Sequence, residues 1–138
     1  RPLNSYMAFR AYYSPIFLDF QQKAISPLLT MLWQGDHFQA KWTILAKAYS
    51  KIRDQQGKDN ANLSEFLELV TPVIGIIAPA DYLSTMGWQM TEGENGPTLH
   101  RETIPDFSSF SDELRTTNVS VEDIIEYFQL VGYAVNAS

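Results

Sequence analysis

Apolar residues recur along this chain mainly at helical spacing. From Ser5 onward, Phe9, Tyr13, Ile16, Phe17 and Phe20 fall three and four residues apart, which predicts a first helix capped by Asn4 or Ser5. Pro2 lacks an amide proton and keeps the first four residues extended. Pro15 sits inside the helical pattern and is expected to kink or break it. A second helix is predicted from about Gln21 to Trp33. Ile25, Leu28, Leu29, Leu32 and Trp33 form its apolar side, Pro27 falls in its first turns and Gly35 stops it. The third helix has the clearest pattern, with Phe38, Trp42, Leu45, Tyr49 and Ile52 on one stripe and Lys41, Lys47 and Lys51 off it. Asp36 with Gln39 reads as a variant capping box, and the polar stretch 55–62 ends the helix.

The second half is less regular. Leu63, Phe66, Leu67 and Val70 predict a helix closed by Pro72, and Pro79–Met86 a short helix ended by Gly87. Residues 89–118 carry Gly, Pro, Ser and Thr without sustained periodicity and read as a long mobile loop. Ser120 with Asp123 opens a last helix. Ile124, Ile125, Phe128 and Val131 form its apolar side, and Gly132 is its expected end. The fold class expected is all-α.

Charge changes this picture. The net charge of −6 argues against a nucleic-acid ligand for the chain as a whole. Residues 1–54 nevertheless carry seven basic and three acidic side chains, a net +4, and the remainder carries −10. A basic part joined to an acidic part hints at a nucleic-acid-binding half. The absence of cysteine excludes disulfides and cysteine-ligated zinc, and His37 and His100 are far apart in sequence. The longest apolar run, Val73–Ala78, is far too short to span a membrane, and no secretory signal pattern opens the chain. Glycine-rich phosphate loops, GxSxG and HExxH are missing. The acids at Glu65, Glu68, Glu122, Asp123 and Glu126 lie opposite apolar helix faces, as a solvated surface does. No enzyme is expected, and no cofactor.

The opening Arg1-Pro2-Leu3-Asn4-Ser5-Tyr6-Met7-Ala8-Phe9 resembles the start of sequence-specific HMG boxes, and Ile25, Ser26, Leu29, Trp33, Lys41 and Ala48 follow at the spacings of those boxes. Phe9–Ser14, Ala40–Ser50 and Ile52-Arg53-Asp54 are more closely similar to the alpha box of fungal mating-type α1 proteins. Phe66–Ile76, Asp81-Tyr82-Leu83 and Gly87-Trp88 resemble the extension of filamentous-fungal members, so the likeness covers about residues 1–90. It implies an L-shaped three-helix box over residues 1–55 and an acidic helical extension over 56–138. It further implies a nuclear transcription factor that binds and bends double-stranded DNA through the minor groove. Such a factor acts as a monomer on DNA, with a MADS-box or other transcription factor as partner.

Carried over position by position, Tyr6 and Met7 match the apolar wedge that unstacks a base step. Asn4 matches a base-contacting asparagine, and it also suits a helix cap. Arg1 matches a groove or phosphate contact, and Arg10 a phosphate contact. Gln22, Lys23 and Ser26 stand where related boxes have Asn, Ser and Ser, with Pro27 a departure beside them. Trp33, Trp42 and Phe9 are expected in an aromatic core. Lys41, Lys47 and Lys51 are phosphate candidates or a solvated face.

Overall fold

Asn4 is extended, and its Oδ1 accepts the Met7 amide at 2.8 Å, which caps the first helix, α1 (Ser5–Tyr13). The structure, a computed structural model, describes residues 2–57 and 61–137, with side chains as far as residue 132. Beyond α1 the chain tightens into a 3-10 turn, Ser14–Phe17, with Pro15 near its start, where no amide is needed. Helix α2 (Gln22–Gln34) buries Ile25, Leu28, Leu29 and Leu32. Its internal Pro27 leaves only the carbonyl of the exposed Lys23 without a helical donor. Helix α3 (Gln39–Gln56) buries Trp42, Leu45, Tyr49 and Ile52, the predicted stripe. The expected Asp36–Gln39 capping box does not form. Asp36 Oδ2 accepts the Phe38 amide at 2.8 Å, and Gln39 Nε2 instead reaches the Trp33 carbonyl at 2.8 Å.

Helix α4 (Leu63–Ile74) is capped by Asn62, whose Oδ1 accepts the Glu65 amide. It runs through Pro72, its expected end, because Ile74 is buried in the core and Gly75, at φ 82°, supplies the left-handed stop. Helix α5 (Pro79–Thr85) follows. Residues 89–118 are not the long loop expected, and the chain is not all-α. Strands β1 (Trp88–Gly93) and β2 (Gly96–Arg101) pair antiparallel with Met90 opposite Leu99, closed by the two-residue loop Glu94-Asn95. A 3-10 turn at Phe107–Ser109 and a single helical turn, α6 (Asp112–Arg115), come next. The fold is mostly helical with one small two-stranded sheet. The last helix, α7 (Val121–Ala137), opens on the expected Ser120–Asp123 exchange, at 2.9 and 3.1 Å. It passes through Gly132, its expected end; that residue is buried and lies against Phe128.

One apolar core runs from Ala8 in α1 to Ile124 in α7. Its centre is aromatic: Phe9 meets Trp42 edge-on at 5.8 Å, and Tyr13 lies 4.2 Å from Tyr82. Each such pair adds about 0.5–1.5 kcal/mol beyond area burial. Phe9, Tyr13 and Trp42 belong to the first three helices and Tyr82 to α5, so residues on both sides of position 55 complete one cluster. Polar ties repeat the pattern. Tyr13 donates to the Ile77 carbonyl at 2.7 Å, Thr71 to the Tyr12 hydroxyl at 3.2 Å, and Tyr49 to the Ala61 carbonyl at 2.6 Å. The back of α1 and α3 is therefore covered, and α1 and α2 keep the other side open.

Candidate nucleic-acid interface

Gln22, Ser26 and Thr30 are spaced by four residues and so share one face of α2. That face meets α1 through two side-chain bridges. Arg10 Nη2 donates to Gln22 Oε1 at 2.9 Å. The Tyr6 hydroxyl lies 3.1 Å from Thr30 Oγ1, and Thr30 in turn donates to the Ser26 carbonyl at 3.1 Å. With the Thr30 proton committed to Ser26, Tyr6 is the donor in that pair. The Tyr6 ring also sits edge-on to Trp33, at 5.9 Å. The two helices are thus held at a fixed relation by groups at both ends of α1.

Each expected contact residue except Arg1 has a defined place. Arg1 lies outside the described residues. Asn4 is exposed and caps α1, so its oxygen is engaged while its amino group faces solvent. Tyr6 is half-buried against α2, and Met7 projects with 48% of its surface exposed. Adjacent residues on a helix point to different faces, and here Met7 is the outward one. Arg10 is half-buried in its bridge, Gln22 and Lys23 are exposed, and Ser26 is half-buried between them and Thr30. Asn4, Met7, Arg10, Gln22, Lys23 and Ser26 are therefore all accessible on α1, α2 and the segment before them. Thr30 was missed: nothing at its position marks it in the sequence, and only the pairing of two helices gives it a role.

The lysines of α3 divide. Lys47 is exposed. Lys51 is exposed and lies 3.6 Å from Glu122 of α7. Lys41 is no phosphate candidate. It is only 1% exposed, and its Nζ donates to the carbonyls of Gly75, Glu113 and Leu114 at 2.7–2.8 Å. Trp42 is fully buried as expected, and Trp33 is half-buried beside Phe9.

An extended segment completes the arrangement. The Leu3 amide donates to Ser50 Oγ at 2.9 Å, which lays the chain ahead of α1 alongside α3. Three helices, a leading extended segment tied to the third, and an accessible methionine near the start of the first are the parts that the resemblance to HMG boxes implies. The chain belongs to the mating-type protein MAT alpha 1 HMG-box family, whose model matches residues 1–138. Mating-type protein MAT-1 of Cochliobolus heterostrophus is 40% identical over 137 residues, which cover 97% of this chain and 36% of that protein. The namesake from Fusarium oxysporum is 45% identical over 103 residues, 75% of this chain and 29% of the relative. That from Alternaria alternata is 38% identical over 137 residues, 97% of this chain and 35% of the relative. The chain thus spans about a third of the length of these relatives. No solved structure matches it. The family is one of mating-type regulators, not enzymes, and its HMG box points to a DNA-binding role.

Proposed function

We propose that the open face of α1 and α2 binds the minor groove of double-stranded DNA and bends it, in a nuclear regulator of mating-type-specific genes. The observation that carries this reading is Met7. A large apolar side chain stands 48% exposed on α1, on a residue joined through its backbone amide to Asn4 and one turn ahead of Arg10, which bridges to Gln22. Water gives such a side chain no stabilisation. Between two base pairs it replaces part of the stacking it disrupts, and the cost of a few kcal/mol is offset by contacts that the bend allows. Residues 1–55 are the DNA-contacting part in this reading, and the acidic residues 56–138 brace it from behind as a monomer on DNA. Ten net negative charges lie best away from phosphate.

The test is Met7→Ala in a DNA-bending assay. Folding stability is expected to change by less than about 0.5 kcal/mol, since the side chain is exposed. The bend angle is expected to fall, and an unchanged angle removes Met7 from the role. In parallel, the slope of log affinity against log salt is expected to reach about 0.9 per neutralised phosphate, and a flat slope defeats the reading.

A second reading, recruitment of a MADS-box or other transcription factor by the acidic segment, is favoured by α7. Leu130 is 68% exposed and Tyr127 36% exposed on that helix, beside Asp123 and Glu126. Leu130→Glu is expected to abolish co-migration with such a partner while leaving DNA affinity alone.

A further inference from the structure

Two amide side chains on the open face have a fixed orientation. A guanidinium nitrogen can only donate, so the 2.9 Å contact from Arg10 Nη2 has to end on the oxygen of Gln22. A backbone N–H can only donate, so Met7 fixes Asn4 in the same way at 2.8 Å. Each amide therefore has its oxygen turned onto a donor within the protein, which takes one of its two lone pairs, and its NH2 group, two donors, turned away from that partner. Both residues are exposed.

The minor groove reads this difference. A·T and T·A pairs present only acceptors there, adenine N3 and thymine O2, whereas G·C adds the guanine N2 amino donor. An unrestrained glutamine turns its amide over and satisfies either edge. A glutamine whose oxygen is turned onto Arg10 presents its NH2 edge on the opposite side, and there it meets a guanine amino group donor to donor. Both groups then lose water without gaining a partner.

We propose that Arg10 sets the polarity of Gln22, so that this face meets the minor groove with amide donors only and rejects the guanine amino group where Gln22 reads. Arg10 is then a positioning residue that determines specificity, beyond the phosphate contact expected of it. The inference rests on the minor-groove reading above.

The test uses the 138-residue chain. A duplex selected from a randomised pool is varied one base pair at a time to A·T, G·C and inosine·C, inosine being guanine without its N2 amino group. For the wild-type chain, G·C at one position is expected to bind about tenfold more weakly than A·T, and inosine·C to recover to within about twofold. Arg10→Met is expected to bind G·C and inosine·C alike at that position. Lys23→Met loses the same charge from an exposed site and is expected to keep the gap. Gln22→Glu retains a carboxylate oxygen as an acceptor beside Arg10 and is expected to bring G·C level with or above inosine·C, which decides the matter if Arg10→Met binds too weakly to measure. A gap that persists in Arg10→Met or Gln22→Glu, or disappears in Lys23→Met, overturns the proposal while leaving minor-groove binding intact. Absence of salt-dependent binding to every duplex overturns the minor-groove reading itself, and this inference with it.

Discussion

Lys41 Nζ lies 2.8 Å from the carbonyl oxygen of Gly75, a contact that joins α3 to the end of α4. Its other two protons go to Glu113 and Leu114, so one ammonium gathers three chain segments. Lys41→Met keeps much of the stem but leaves three carbonyls without that donor. With charged hydrogen bonds worth about 1.5–3 kcal/mol each, the loss is expected to exceed about 3 kcal/mol in urea unfolding. A change under 1 kcal/mol, on the order of a single neutral hydrogen bond, would mean that the three acceptors find water instead.

Burial pushes the Lys41 ammonium down from 10.5 to about 8. The unfolded chain then holds this proton more tightly than the folded chain does between those two values. Stability from this group is therefore expected to rise as pH climbs from about 8 toward 10.5. Tyr13 and Tyr82 oppose it only above about 10, because burial holds their hydroxyls protonated while the unfolded chain ionises. Denaturation between pH 8 and 10 is thus expected to show a rise that Lys41→Met lacks. Parallel curves for the two proteins would contradict the shift.

Tyr82 donates to Asp36 Oδ1 at 2.6 Å, at the start of α3. Burial raises the Asp36 carboxyl above its usual value, and the bonds from Tyr82 and the Phe38 amide pull it partly back. A raised carboxyl stabilises the fold while protonated, and that contribution is lost as pH rises through its folded value. Tyr82→Phe removes the largest of the influences that support the charged form. It is expected to cost about 1–3 kcal/mol, with a larger deficit at pH 7 than near pH 4. Thermal unfolding at the two pH values measures the difference, and an equal deficit would mean that Asp36 does not need Tyr82 to ionise.

Removal of residues 91–138 is expected to unfold the whole chain rather than leave a working box. It takes away Ile124 from the core, two of the three acceptors of Lys41, and Arg101, which stacks over Trp88 at 4.6 Å. Loss of a cooperative circular-dichroism transition is the expected result, and a retained sharp transition would show that residues 1–90 stand alone.

The helices were legible where one apolar face decided them. The stripe from Phe38 to Ile52 and the Ser120–Asp123 cap needed no knowledge of the rest of the molecule. The hairpin was missed although Asn95-Gly96 is a strong local turn signal. Its strands are mostly exposed, with Pro97 the one buried residue, so no core pattern betrayed them. Gly75 illustrates another limit. Its positive φ ends α4, and a side chain there would meet the Glu113 carbonyl, a neighbour that local sequence does not reveal. Lys41 read as a surface lysine because the segments that cover it lie more than thirty residues away. At the candidate interface, Met7 and Gln22 were singled out by the resemblance to HMG boxes, whereas the pairing of Arg10 with Gln22 and of Tyr6 with Thr30 exists only once α1 and α2 have docked.

The aromatic cluster shared by Phe9, Tyr13, Trp42 and Tyr82 sets the unit in which this fold can be exchanged between relatives. A chimera that takes the first three helices from one species and the remainder from another has to match ring shapes and the Lys41 acceptors across the seam. Helices α1 and α2 therefore inherit their geometry from residues outside the candidate interface, and moving a surface position such as Gln22 between relatives means grafting it into an otherwise unbroken fold.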